Sequence, residues 1–154
     1  SQATADGRQT FRARLRGFQE VPSISTTAFG EFRAKLNRQR DTVTYELTFN
    51  DLQAPVLFSH IHLAATASNG GIMTFLCGGQ TKPACPQAGT VNGTITAADI
   101  TGAGGAGLPA QGISPGEFEE FLRALRSGFT YVNVHSQLFP GGEIRGQINS
   151  EDDD

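Results

Sequence analysis

The feature that most constrains the fold is a two-residue alternation of apolar and polar side chains. It first occurs in residues 11–16 (FRARLR) and returns in residues 32–36 (FRAKL) and 43–49 (VTYELTF). Successive side chains of a strand point to opposite faces of its sheet, so each segment is predicted to be a strand with one buried face. The polar stretch that separates the last two segments predicts a hairpin.

Short apolar segments continue along the chain, separated by Gly, Pro and Asn turns. Further strands are predicted at residues 56–63, 71–77, 90–95, 129–135 and 143–149. About eight short strands with turn residues between them are typical of sandwiches and barrels. The sequence therefore predicts an all-β fold, an antiparallel Greek-key β-sandwich.

One segment departs from this pattern and predicts a short helix over residues 115–127. Ser114 is a suitable N-cap, Pro115 suits the first helical position, and Glu117 lies three residues after the cap. Apolar side chains then recur at helical spacing, at Phe118, Phe121, Leu122 and Leu125. Gly128 is a typical residue to end the helix. This helix is expected to cover an end or an edge of the sandwich.

Length and charge limit the number of domains and the classes of partner. A chain of 154 residues fits one domain. Its polar ends are expected to be disordered tails, at residues 1–10 and 150–154, around a domain at 11–149. The net charge of −3 argues against a nucleic-acid partner. No apolar run approaches the roughly 18 residues of a membrane span.

The two cysteines indicate a disulfide and an oxidising compartment. Cys77 and Cys85 bracket a short loop beside a predicted strand end. Two cysteines alone do not complete a zinc site, and no third soft ligand lies near them in the sequence. A disulfide is therefore favoured over a metal site or two free thiols, and it predicts an extracytoplasmic protein, either secreted or periplasmic.

The chain has only three histidines, and the strand pattern places all of them on outer faces. His60 and His62 are two residues apart on one predicted strand, so their side chains share a face about 7 Å apart. Ile61 then turns to the core, which leaves both imidazoles outside. The alternation in residues 129–135 places His135 on an outer face as well.

Three neutral imidazoles on rigid strands would form a site for a divalent metal, and the affinity of such sites rises toward copper. The alternative is that the histidines are exposed residues without a ligand role. The metal site requires residues 56–63 and 129–135 to form neighbouring strands.

Several motifs follow one another in a recognisable order. They are Leu15-x-Gly17-x-Gln19-Glu20-Val21-Pro22, Thr27-x-x-Gly30, His60-Ile61-His62, Asn69-Gly70, Tyr131-Val132-Asn133-Val134-His135 and Pro140-x-Gly142-Glu143-Ile144-Arg145-Gly146. Together they resemble the CHRD domain, a module named for chordin and found in many exported bacterial proteins. The resemblance covers about residues 11–148 and implies an exported domain.

The histidine pattern is also similar to the copper half of the Cu,Zn superoxide dismutases, which are Greek-key β-sandwiches. This resemblance implies that His60 and His62 match the paired copper ligands and that His135 matches the distant one. Arg145 matches the active-site arginine that attracts superoxide, so it is the candidate catalytic residue. A fourth histidine that could bridge to zinc is missing, which leaves one copper ion per chain and makes zinc the less favoured metal.

Two carboxylates are candidates for a fourth ligand or for contacts around the histidines. Glu20 lies in the first motif, where it could instead bond a backbone N–H group or an arginine such as Arg145. Glu143 is two residues from Arg145 on one predicted strand. It could pair with that arginine or orient the imidazoles.

Three functions remain open at this stage. The first is a copper protein that disproportionates superoxide, its small-molecule substrate. The second is a non-enzymatic module that binds or sequesters metal. The third is an extracellular protein-interaction domain whose contact surface is formed by Phe18, Phe29 and the Gly-rich loop at residues 101–112.

Overall fold

Nine strands form one curved sheet in the computed structural model, which describes residues 9–104 and 110–151. The strands are β1 (Thr10–Arg16), β2 (Phe29–Leu36), β3 (Val43–Asn50), β4 (Val56–Leu63), β5 (Ile72–Cys77), β6 (Gly89–Ile95), β7 (Thr130–Ser136), β8 (Ile144–Gln147) and β9 (Asn149–Glu151). Helix α1 (Phe118–Ser127) and two short 3-10 turns (Gly17–Gln19 and Ala97–Asp99) complete the described elements.

The strands are ordered β5-β4-β7-β8-β1-β2-β3-β6, with β9 paired to β1, and every pair is antiparallel. The edge strands β5 and β6 contact each other, so the sheet is nearly closed into a barrel. The connections from β3 to β4 and from β6 to β7 cross between distant parts of the sheet. The prediction of an antiparallel all-β fold with one short helix is confirmed.

The alternation in the first three strands places their apolar side chains in the core. Phe11, Leu15, Phe32, Leu47 and Phe49 are each exposed by 2% or less. The polar residues between them face outward along β1, β2 and β3. Hydrophobic burial along one face therefore sets the register of this half of the sheet.

The other half of the sheet is covered on both faces. Every residue of β7 is buried, including the polar ones. Loop residues 64–71 and 137–142 lie over its outer face and are held there by hydrogen bonds from Arg145 and His135. The side chains predicted to face outward do lie on the outer face, but loops cover them, because an alternating pattern does not show whether the second face is covered.

Helix α1 begins three residues later than in the prediction of 115–127. Gly116 adopts the left-handed conformation, with φ of +84°, which prevents a helix from continuing through it. The Ser114 N–H group donates to the Glu117 side chain at 2.7 Å, so the expected capping pair closes a turn before the helix. The predicted end at Gly128 is confirmed by its left-handed conformation. None of the described helices has the length and apolar character needed to cross a membrane.

The domain extends further at both ends than predicted. Thr10 already belongs to β1, and residues 150–151 belong to β9, which pairs with β1. Disorder of the tails stays a prediction, because residues 1–8 and 152–154 lie outside the described part of the chain. The predicted strand at 143–149 is divided between β8 and β9.

The predicted disulfide between Cys77 and Cys85 is confirmed. It joins the end of β5 to the following loop, where the Gly78 N–H group also donates to the Pro83 carbonyl. The loop after the edge strand is thus covalently closed.

Candidate metal centre

The three histidines lie together on the outer face of β4 and β7. These strands are neighbours, with Phe58 opposite His135 and His60 opposite Asn133. Opposite residues of an antiparallel pair share a face, so the imidazoles converge. One ring nitrogen from each of His60, His62 and His135 lies within 4.8 Å of the others. The condition that the two predicted strands be neighbours is met.

The cluster is buried instead of exposed. The exposed fraction is 2% for His60 and 7% for both His62 and His135. The rings of Phe58 and Phe75 lie 4.8 Å and 4.2 Å from the His60 ring, centre to centre. The site is therefore a small group of imidazoles in largely apolar surroundings.

Backbone carbonyl groups define the proton positions on two of the imidazoles. Nδ1 of His62 lies 3.0 Å from the Gly70 carbonyl oxygen, and Nδ1 of His135 lies 2.8 Å from that of Pro140. A carbonyl oxygen only accepts, so Nδ1 must carry the proton in both rings. Nε2 then keeps its lone pair, as a metal ligand requires.

His60 has no hydrogen-bond partner for either ring nitrogen among the described residues, although both atoms are buried. Nε2 of His62 also has none. A buried polar atom without a partner costs about 1–3 kcal/mol. A metal ion bound by these nitrogens would remove part of this cost, so the residues present fit a trihistidine site.

Burial keeps the three imidazoles neutral. It lowers the pKa of His60 to about 2, and repulsion from charge on His135 and His62 adds to the effect. Burial also lowers the pKa of His62 to about 4 and lowers that of His135. Neutral imidazole is the form that binds a metal. The site is therefore ready to bind a cation at neutral pH without first losing protons.

Asn133 connects the cluster to a buried carboxyl group. Its amide oxygen lies 3.0 Å from Nε2 of His135, and its amide nitrogen donates to Glu20 at 3.2 Å. Because Nδ1 of His135 carries the proton, Nε2 of His135 and the amide oxygen of Asn133 are both acceptors. A cation bound between these two atoms would stabilise the arrangement. Burial raises the pKa of Glu20 to about 7. Gly142, with φ of +126°, lies against the Glu20 carboxyl group, and a Cβ there would collide with it.

Acid should destabilise the metal-free protein through His60. Above its unfolded pKa of about 6.5, both states are neutral and contribute no pH dependence. Below that pH, His60 becomes protonated in the unfolded chain but stays neutral in the folded protein. The free energy of unfolding therefore falls as the pH is lowered. Glu20 acts in the opposite direction, because its folded pKa lies above its unfolded value. Denaturation of the wild type and of His60→Phe should therefore diverge by about 3 kcal/mol between about pH 6.5 and 4.5. Parallel curves would contradict the burial of a neutral His60.

Glu143 ties loops together and makes no hydrogen bond to a histidine among the described residues. Its carboxylate accepts from Thr26 Oγ1 at 2.6 Å, Ser136 Oγ at 2.7 Å and the Gln53 N–H group at 3.0 Å. The side chain is fully buried. The segment before β2 and the loop after β3 are thereby attached to β7. Glu143 therefore joins these loops to β7, and its observed hydrogen bonds support the fold.

Replacing Glu143 by glutamine should lower the free energy of unfolding by about 2 kcal/mol, because charge-assisted bonds to buried donors are lost. Copper affinity should stay within about twofold, since the contacts of Glu143 lie away from the imidazoles. Denaturant titration and copper competition measure the two effects. Glu31→Gln, an exposed pair partner of Arg33, is the matched control. A loss of copper affinity of about 100-fold or more in Glu143→Gln, as expected for the removal of a ligand, would instead identify it as one.

Arg145 lies on the predicted face but beneath a loop, with 1% of its surface exposed. Its guanidinium group lies 3.4 Å from the centre of the Tyr131 ring, which in turn stacks on His62 at 4.6 Å. It donates to three acceptors in loop residues 64–71, the shortest bond being 2.6 Å to the Ser68 carbonyl. The same loop supplies the carbonyl group that orients His62. Arg145 therefore supports His62 in two ways, through the Tyr131 ring and through loop residues 64–71.

The strand pattern indicated the three histidines but no role for several residues around them. Asn133 and Tyr131 follow the same alternation as His135, so their shared face was visible, but their contacts across the sheet were not. Gly70 and Pro140 act through backbone carbonyl groups, which no side-chain pattern indicates.

The family model of the CHRD domain matches residues 11–148. The matched range includes every residue of the candidate metal centre. No curated protein and no solved structure matches the chain significantly.

Proposed function

Since the chain belongs to the CHRD domain family, we propose that this member holds one copper ion at His60, His62 and His135 and disproportionates superoxide. The observation that carries the proposal is the convergence of three buried, neutral imidazoles within 4.8 Å. Several of their ring nitrogens lack another partner in the described part of the chain. Such a cluster is costly for a fold that does not use it.

The donor set favours copper over zinc. Three imidazoles suit both metals, but affinity at a nitrogen site rises toward copper in the Irving–Williams order. A bound copper ion would supply a one-electron redox couple, by which two superoxide anions and two protons give dioxygen and hydrogen peroxide. The carbonyl groups of Gly70 and Pro140 hold the Nδ1 protons in place, so that Nε2 of both rings stays available.

Two further residues fit supporting roles in this reaction. Arg145 holds the loop over His62 and brings a positive charge that favours an approaching anion. Glu20, with a pKa near 7, can hold or release a proton at neutral pH where Asn133 meets its carboxyl group. Its contact with the cluster runs through Asn133, which supports an indirect role over that of a fourth ligand.

The copper-loaded protein should remove superoxide at least about 100-fold faster than the metal-free protein, because only the loaded form has a redox couple. Superoxide decay is measured in the presence of a chelator, since free copper would also react. Zinc-loaded protein and copper-treated His60→Phe are the controls, and both should remain at the metal-free rate. A copper-replete wild type no faster than its metal-free form would contradict the catalytic proposal.

Burial of the site favours one alternative, a module that binds or sequesters metal without turnover. The histidines are exposed by 7% at most, and Arg145 has committed its hydrogen bonds to a loop. The same ligands would serve both functions, so the superoxide measurement separates them. Under either function, the Cys77–Cys85 disulfide supports an extracytoplasmic location.

A further inference from the structure

Positive charge is concentrated in the first part of the chain. Residues 1–40 contain eight of the twelve Lys and Arg residues but only three acidic residues. The remaining residues contain twelve acidic side chains and four basic ones. The protein is therefore strongly asymmetric in charge, although its net charge is only −3. Such asymmetry is typical of a surface for a charged partner.

Five of these basic side chains share the outer face of β1 and β2: Arg12, Arg14, Arg16, Arg33 and Lys35. The register places Arg12 opposite Arg33, Arg14 opposite Glu31, and Arg16 opposite Phe29. Directly opposite residues share a face, and like charges in this position destabilise a sheet. The repulsion within the Arg12–Arg33 pair is offset by the carboxylates of Glu151 and Glu31, each within 3.1 Å of one of the two arginines.

A groove of about 420 Å³ lies on this face. Its lining includes Arg14, Arg16, Phe29, Glu31, Thr48 and Asn50. Phe29 is 53% exposed, so its ring is accessible from the groove. Arg12 and Arg33 have carboxylate partners in Glu151 and Glu31. Among the described residues, Arg14 and Arg16 have none.

We infer that this groove binds an acidic polysaccharide. Arginine forks bind carboxylate or sulfate groups through paired hydrogen bonds. The exposed Phe29 ring offers an apolar face to the C–H groups of a sugar ring. The Thr48 hydroxyl and the Asn50 amide can bond sugar hydroxyl groups.

The length of the surface fits a polymer better than a single sugar. Arg14 and Arg16 project about 7 Å apart, as alternate residues of one strand do. A second groove of about 1060 Å³, nearer the start of β1, is lined by Arg12, Arg33 and Lys35. A chain of several sugar rings could therefore follow β1 with its anionic groups over successive cations.

Acidic residues in the surface favour a polysaccharide over a nucleic acid. Glu31 lines the smaller groove, and Glu46 and Glu151 line the larger one. Carboxylates repel the anionic groups of both polymers, but they accept hydrogen bonds from the hydroxyl groups that every sugar of a polysaccharide carries. A polysaccharide with one anionic group per sugar provides both the spacing and the hydroxyl groups.

The test is calorimetric titration at low ionic strength with alginate and polygalacturonate fragments, which carry one carboxylate per sugar, with neutral dextran and single-stranded DNA as comparison ligands. The double variant Arg14→Ser/Arg16→Ser should bind whichever acidic polysaccharide the wild type binds more tightly about tenfold more weakly, because two charged contacts are lost. Phe29→Ser should bind about threefold more weakly with an unchanged salt dependence, because it removes only the apolar contact. Arg123→Ser, a charge-matched change on α1, should bind like the wild type.

Three results would overturn the inference. They are the absence of binding to both acidic polysaccharides, tighter binding of DNA or dextran than of either, and an unchanged affinity in Phe29→Ser. Thermal denaturation of each variant shows that it is folded under the conditions of the titration. His60→Phe should bind the polysaccharide normally, so the inference stands or fails separately from the copper proposal.

Discussion

Replacing His60 by phenylalanine should weaken copper binding at least about 100-fold, because one of three converging imidazoles is lost. The other two rings keep their orientation, since Gly70 and Pro140 still hold their Nδ1 protons. Competition with a copper chelator of known affinity measures the loss. Phe75→Leu is the matched control, because it changes the packing against His60 without removing a ligand. Its copper affinity should stay within a few fold of the wild type.

The same substitution should stabilise the metal-free protein by about 1–3 kcal/mol. Both ring nitrogens of His60 are buried without a described partner, and phenylalanine removes these polar atoms. Phe58 and Phe75 already surround the position with aromatic rings, so the new ring meets similar neighbours. A higher free energy of unfolding together with a lower copper affinity would indicate that His60 serves metal binding at a cost in stability. A less stable variant that still binds copper would refute both expectations.

Replacing Arg145 by lysine should lower the free energy of unfolding by about 3 kcal/mol, although the charge is kept. Lysine cannot reproduce the planar stack on Tyr131 together with three bonds to loop residues 64–71. The loop also carries the carbonyl group that orients His62, so copper affinity should fall about tenfold. Denaturation and chelator competition measure the two effects.

Arg123→Lys is the control for this prediction, because the one ion pair of Arg123 among the described residues is an exposed one with Glu120 on α1. It should change stability by less than about 0.5 kcal/mol. If Arg145 acted through its charge alone, Arg145→Lys would match the wild type in stability and copper affinity. That outcome would contradict the positioning role.

The sequence was most informative where one face of the sheet is open to solvent. In β1, β2 and β3 the apolar residues are buried and their polar neighbours are exposed, so a two-residue period defines the strands. The same period correctly placed His60, His62 and His135 on one side of the sheet. Their meeting depends on the pairing of β4 with β7, which is a long-range contact. No local pattern encodes such a contact.

The covering of the site was not predictable from the same rule. Asn133, His135 and Arg145 are polar residues at alternate positions, and such residues normally face solvent. Here the loop before β5 provides hydrogen-bond partners for Arg145, the loop before β8 provides one for His135, and Glu20 provides one for Asn133, so these polar groups are satisfied although they are buried. The start of α1 was not predictable because it depends on the conformation of Gly116. A glycine permits the left-handed conformation that ends the turn there but does not require it.

Electron paramagnetic resonance of Cu(II) added at one equivalent per chain tests the central claim most directly. The account predicts one bound copper ion whose spectrum shows coupling to three imidazole nitrogens. Stepwise replacement of His60, His62 and His135 by phenylalanine should remove these couplings and finally the bound copper. A triple variant that retains one copper per chain with the wild-type spectrum would show that the metal lies elsewhere.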